Sequence, residues 1–137
     1  MSGIPKPNFV AILQALVEHH VDFMVVGGVG AVLQGAPIAT FDLDIVHSTE
    51  PANVERLLAA LRSLDGGLRD ALDLLGAIGH GHPYSELIQK AIAVQIAEGV
   101  TVPVLELSAL IAVKEETAGE KDRAVLPILR QTLRERQ

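Results

Sequence analysis

The stretch from Asp22 to Val46, DFMVVGGVGAVLQGAPIATFDLDIV, leaves little freedom of architecture. Its first residues, Asp22 to Val26, are apolar after the aspartate and rich in valine, which suits a strand buried on both faces. Gly27-Gly28 follows at once and opens a short helix, Gly27 to Gln34, which Gly35 and Pro37 stop. Thr40 to Val46 then alternates as a second strand. Asp42 and Asp44 share one face of it, roughly 7 Å apart, while Phe41, Leu43 and Ile45 fill the other. Strand, helix and strand within so short a run commit the chain to helices packed on a sheet. The expected class is α/β (α+β): a small mixed β-sheet flanked by helices.

The remainder continues this alternation. Asn8 can cap a helix running to about His20, with Phe9, Ile12, Leu13, Leu16 and Val17 at helical spacing. Pro51 suits the first turn of a helix begun at Ser48-Thr49-Glu50, which turns Val54, Leu57, Leu58 and Leu61 inward and ends before Gly66-Gly67. Ala71 to Leu75 reads as an apolar strand with a single carboxylate, Asp73, in its middle. A charge inside a buried strand is costly, so Asp73 needs a cation or another partner. After a glycine and histidine loop, Gly76 to Pro83, a short helix is expected over Tyr84 to Lys90. Ala91 to Ala97 and Thr101 to Leu105 form a hairpin across Glu98-Gly99. Helices over Ser108 to Glu116 and Arg123 to Arg134 close the chain, with Pro127 either in the first turns or marking a kink.

A chain of 137 residues that is 49% hydrophobic can build one core and not two, so residues 1–137 are expected to form a single domain. The net charge of −6 argues against a surface given over to nucleic acid, although Lys114, Lys121, Arg123, Arg130, Arg134 and Arg136 concentrate positive charge near the C-terminus. The absence of cysteine excludes disulfides, thiolate metal sites and thiol nucleophiles. MSGIPKPNFV has no signal-peptide pattern, and Phe23 to Leu33, the best apolar run, is too short to span a membrane. The expectation is a cytoplasmic protein with no membrane partner.

Two carboxylates leaving one strand face suit a divalent cation, and a glycine pair shortly upstream offers bare backbone N–H groups to phosphate. Either alone is a weak signal, because Asp-x-Asp is common at solvated strand edges and glycines serve tight turns in many folds. His80-Gly81-His82 has no cysteine or acidic motif beside it in sequence and is expected to be a polar loop. His47 is expected to be solvated, Ser48 to act in a cap, and Asp122 to pair with a cation.

GGVGAVLQGAPIATFDLDIV, the later LDLLG and the terminal LSALIAVKEETAGEKDRAVLPIL together resemble the nucleotidyltransferase fold, the polymerase-beta-like superfamily, and within it small bacterial AbiEii-type and minimal nucleotidyltransferases. The resemblance spans about Val21 to Leu129. It implies that Asp42, Asp44 and Asp73 hold two Mg2+ ions, or Mn2+ in their place, and are the catalytic carboxylates. It further implies that Gly27, Gly28, Lys114 and Lys121 bind a nucleoside triphosphate such as ATP.

The implied activity is transfer of a nucleoside monophosphate to a hydroxyl on RNA, such as a tRNA end, or on a protein side chain. The implied partner is a cognate antitoxin or helical protein in a toxin–antitoxin pair; independently of the resemblance, the polar N-terminus and the hairpin edge Ala91 to Ala97 each offer a surface for an oligomer. Two departures stand out. Gln34-Gly35 replaces the frequent His-Gly, and Ile38 stands where relatives often carry arginine. The segment before Asp73 is also short, which favours the alternative of a non-catalytic nucleotide- or partner-binding module, an antitoxin or degenerate relative on the same fold.

Overall fold

A computed structural model describes residues 7–64 and 71–136. Helix α1 (Pro7–Glu18) buries Phe9, Ile12, Leu13 and Leu16 as expected from helical spacing, while Val17, also expected inside, is only partly buried. It ends two residues before His20, which takes φ 57° as the Val21 N–H reaches back to the Leu16 carbonyl at 3.0 Å. This is a left-handed helix stop that histidine can occupy without glycine. The side chain of Asn8 and the Gly66-Gly67 helix stop lie outside the described residues.

Strands β1 (Phe23–Val26) and β2 (Leu43–His47) flank α2 (Gly27–Val32), and β1 is buried at every position. β2 starts three residues later than expected. Phe41 is therefore not a core residue but 72% exposed, and Asp42 sits in a bend just ahead of the strand. Helix α3 (Pro51–Arg62) has Pro51 in its first turn. It buries Asn53, Leu57 and Ala60, while Leu58, expected inside, is 43% exposed. Asn53 takes the inward place because its amide is fully used. It accepts from the Asp22 N–H at 2.6 Å and donates to the carbonyls of Asp22 and Ser48 at 3.0 and 2.8 Å, tying α3 to both β1 and the end of β2.

After residue 71 come β3 (Leu72–Leu75), β4 (Ala77–Ile78), β5 (His82–Pro83), α4 (Tyr84–Leu87) and a single 3-10 turn, Ile88–Lys90. The expected histidine loop is thus a small two-stranded hairpin, with Ala77 opposite Pro83 and Ile78 opposite His82. β6 (Ala91–Ala97) and β7 (Val100–Leu105) form the expected hairpin around Glu98-Gly99. The last two helices are α5 (Leu107–Glu116) and α6 (Glu120–Arg136), and Pro127 lies inside α6.

The five-stranded sheet runs β3-β2-β1-β7-β6. β2 is antiparallel to β1 and parallel to β3, and β1 is parallel to β7. The fold is therefore mixed α+β, with helices on both faces. Phe23, Val25, Leu43, Ile45, Val102 and Val104 meet α1 and α3 on one face. Met24, Val26, Val46 and Leu105 meet α2, α5 and α6 on the other.

Gln34 locks this second face. Its buried amide donates to the carbonyls of Gly30 and Leu105 at 3.0 and 2.9 Å and accepts from the Leu107 N–H at 2.8 Å. Helix α5 is thereby anchored to α2 at its first residue. Among the described residues no helix is long and apolar enough to cross a membrane.

Candidate functional site

Period-two alternation sends Leu43 and Ile45 into the α1–α3 core and Asp44 to the opposite face, toward α5. Register then does the rest. Asp44 stands opposite Val26 on β1 and opposite Asp73 on β3, so the two aspartates emerge side by side from neighbouring parallel strands. Here the structure corrects the reading of Asp73. β3 is the edge strand of the sheet and Asp73 is exposed, so burial does not force a partner on it. What constrains Asp73 is the like charge beside it.

The half-buried Asp44 carboxyl is pushed up from 3.8 to about 6. Desolvation is the largest cause, followed by hydrogen bonding with Asp73, the charge of Asp73 and the charge of Asp42, with Lys114 pulling the other way. Asp44 and Asp73 thus touch, whereas Asp42, exposed in its bend, acts on Asp44 through space. Among the described residues no three His, Asp or Glu side chains are gathered tightly enough to hold a metal ion as they stand.

The glycine pair is shaped by this carboxylate. Gly27 has φ +64°, and a Cβ there would lie 2.3 Å from the Asp44 Oδ2. Only glycine suits both the left-handed conformation and the close approach. A Cβ on Gly28 would lie 2.7 Å from the Thr40 Oγ1, so the backbone of this turn also lies close to the segment leading into Asp42.

Asp44 and Gly27 form one wall of a cleft of about 220 Å3, closed by Leu75, Ile78 and Gly79 on one side and by Leu110, Val113 and Lys114 of α5 on the other. Lys114, expected to bind nucleotide, lines this cleft, with its ammonium 3.3 Å from the Asp122 Oδ1 of α6. Asp122 therefore pairs with a cation, as its sequence context suggested. Lys121 belongs to the first turn of α6, but its side chain lies outside the described residues.

No protein-family model matches this chain, and no curated protein matches it. The site is therefore read from its own chemistry. The donors are carboxylate oxygens, the hard ligands that Mg2+ and Mn2+ take. They repel one another in a way that a bound cation would relieve.

Other residues singled out in the sequence fall elsewhere. His47 is half-buried, with Nδ1 donating to the Ser48 carbonyl at 3.0 Å, and the Ser48 hydroxyl accepts from the Glu50 N–H just ahead of α3. Ile38, singled out in the sequence as a departure from the resembled pattern, packs against the α5–α6 core.

A larger groove of about 570 Å3 lies apart from the carboxylates, between the start of β6 and α5. Two of its polar groups, Glu106 and Ser108, bond to each other as the cap of α5. With no cluster of converging charges it is the weaker candidate for chemistry.

A second charged cluster had no visible signal in the sequence. His82 Nδ1 lies 2.5 Å from Glu86 on α4, and Nε2 lies 2.8 Å from the Glu116 Oε2 at the end of α5. Glu86 is four residues on, but His82 lies on β5 and Glu86 on α4, so helical spacing does not announce the pair. Glu116 is too distant in sequence to be paired without the fold.

Proposed function

We propose that this protein is a metal-dependent nucleotidyltransferase on the polymerase-beta-like plan, moving a nucleoside monophosphate from a nucleoside triphosphate to a hydroxyl. One observation carries the reading: Asp44 and Asp73 meet across β2 and β3, with Asp42 at electrostatic range, against a glycine turn that leaves no room for a side chain. A protein gains nothing in stability from two facing carboxylates, so their arrangement is best explained by a cationic ligand.

Asp42, Asp44 and Asp73 would hold Mg2+ or Mn2+. Two such ions, when bound, offset the negative charge that builds on the phosphoryl oxygens during transfer. Asp73, the more exposed of the touching pair, is the candidate to accept the proton of the incoming hydroxyl. Gly27 and Gly28 supply unobstructed backbone N–H groups for phosphate, and Lys114 supplies a charge that can turn from Asp122 toward a triphosphate. The resemblance extends the proposal to an acceptor on RNA, such as a tRNA end, or on a protein side chain. It also implies a cognate antitoxin as partner, while the cytoplasmic setting is proposed from the lack of cysteine.

One observation favours a non-catalytic nucleotide-binding module instead: Asp42 stands exposed in a bend ahead of β2 rather than on the strand beside Asp44. The two readings separate when the protein is incubated with each labelled triphosphate, Mg2+ and either total cell RNA or total cell protein. The enzyme yields a labelled product that needs the metal and falls about 1000-fold or more in the Asp42→Asn, Asp44→Asn double variant. Nucleotide binding without product in any of these mixtures identifies the binding module.

A further inference from the structure

Two hydrogen bonds to carboxylates, one at each ring nitrogen, bias the protonation state of His82. Neutral imidazole has one N–H donor and one acceptor nitrogen, and a carboxylate only accepts. With Nδ1 2.5 Å from the Glu86 Oε2 and Nε2 2.8 and 2.9 Å from the two oxygens of Glu116, both nitrogens donate whenever both carboxylates are ionised, an arrangement that favours the imidazolium.

The same carboxylate is gripped from a second direction. The His80 N–H donates to the Glu116 Oε1 at 3.0 Å, and a Cβ on Gly79 would lie 2.6 Å from that oxygen. Glu116 is the last residue of α5, where the helix dipole disfavours negative charge, and His82 offsets it there. The three contacts join the β4–β5 hairpin to α5. That hairpin is also a wall of the carboxylate cleft, through Ile78 and Gly79, and Val113 of α5 lines both the cleft and the crevice holding His82.

We propose that Glu86, His82 and Glu116 form a proton-operated latch that fastens the β4–β5 hairpin to α5 and thereby holds the wall of the carboxylate cleft in place. Loss of one proton turns a ring nitrogen from donor to acceptor facing a carboxylate, which removes one arm of the latch and its charge together. The groups facing His82 are Glu86 from α4, Glu116 from α5, His80 from the hairpin turn and Lys90 from the 3-10 turn lining the same crevice. The carboxylates favour the proton, whereas Lys90 and a charged His80 oppose it.

Hydrogen bonds to Glu116 first, then to Glu86, raise the His82 pKa above 6.5, and the His80 N–H and His82 lower that of Glu116 below 4.5. The latch contribution of His82 is therefore complete below pH 6.5 and is lost as pH rises through its raised value. That of Glu116 is present above pH 4.5 and lost as pH falls through its lowered value. The latch is closed between these limits and opens on the alkaline side. Its consequence for nucleotide entry rests on the nucleotidyltransfer reading of the cleft, whereas the latch itself does not.

The test is amide hydrogen exchange over residues 77–83 of the full chain at pH 6.0 and pH 9.0, corrected for the intrinsic pH dependence of exchange. Wild type is expected to lose about tenfold protection at pH 9.0. His82→Gln is expected to be unprotected at both values, and Glu86→Gln, which spares the α5 contact, to shift the change to lower pH. NMR titration of the His82 ring should show two N–H protons at pH 6.0. Equal protection at both pH values in wild type, or a single ring proton at pH 6.0, overturns the latch. Mg2+-ATP binding measured in parallel separates the two proposals: failure to bind at either pH counts against the nucleotide reading, while the exchange data still decide the latch.

Discussion

Helix α5 divides two acidic clusters built with opposite logic. Toward the cleft, Asp44 faces Asp73 and is left with a raised pKa, while the nearby Lys114 is engaged by Asp122. Two residues past Lys114, Glu116 projects toward the hairpin and meets the imidazolium of His82. Both carboxylates rest against a left-handed glycine, Gly27 under Asp44 and Gly79 under Glu116. The difference lies in the countercharge. Glu116 receives it from the chain's own histidine, so the cluster is complete and contributes to holding the fold. Asp44 does not receive enough, and an arrangement that costs stability is where a ligand is expected to act.

The comparison breaks most readily at the glycines, where the largest stability effects are expected. Gly27→Ala must force a Cβ into Asp44 as well as into a left-handed conformation, and should cost about 3 kcal/mol in urea unfolding. Gly79→Ala meets the end of the longer Glu116 side chain, with Val113 and His82 at 3.1 and 3.2 Å, so a smaller steric contribution adds to a backbone cost of about 1–2 kcal/mol. If Gly27→Ala costs no more than Gly79→Ala, Asp44 is not held rigidly against its glycine and the cleft is less preorganised than its geometry indicates.

A smaller change tests the sign. Asp73→Asn removes the negative charge beside Asp44 and supplies an amide donor to it, so the Asp44 pKa should fall from about 6 toward 3.8. Because the folded protein binds that proton more tightly than the unfolded chain, the Asp44 contribution in wild type is favourable at low pH. It is lost as pH rises from 3.8 to about 6. Burial and Asp42 still raise the Asp44 pKa in the variant, so this loss should shrink rather than vanish, leaving the variant more stable than wild type at pH 7 by up to about 1 kcal/mol after solvent screening, as read by urea unfolding. Labelled product should disappear in the same variant. A gain in stability with a loss of activity is the signature of a site maintained for its ligand, and a loss of both would make Asp73 structural.

The parts legible in the sequence are those set by local pattern. Apolar runs and glycine or proline punctuation gave β1, the β6–β7 hairpin and the helices to within a few residues, and period-two alternation gave the face of Asp44. Sheet order is not local. Leu72, Leu74 and Leu75 look like a buried strand, yet β3 is an edge and Leu74 is 39% exposed, so the expected burial of Asp73 failed while its position beside Asp44 held. Asn53 and Gln34 are buried for a similar reason. A polar side chain becomes a core residue when separated backbone groups converge on it, and that convergence belongs to the fold. The His82 latch was hidden because Glu116 lies thirty-four residues away.

Lys114→Gln is expected to have the smallest effect. Its ammonium is a minor influence on Asp44, ranked below desolvation, Asp73 and Asp42, so removing it should raise the Asp44 pKa only slightly. It is partly exposed and already paired with Asp122, which limits what it contributes to the free protein. If it turns toward a bound triphosphate, the variant should bind ATP about fivefold more weakly in a calorimetric titration, the worth of one partly screened charge. The loss should shrink as salt is added. Unchanged affinity would leave Lys114 as a tether between α5 and α6 alone. The carboxylates would then have to hold the nucleotide through their cations and the Gly27 turn, without a lysine contact.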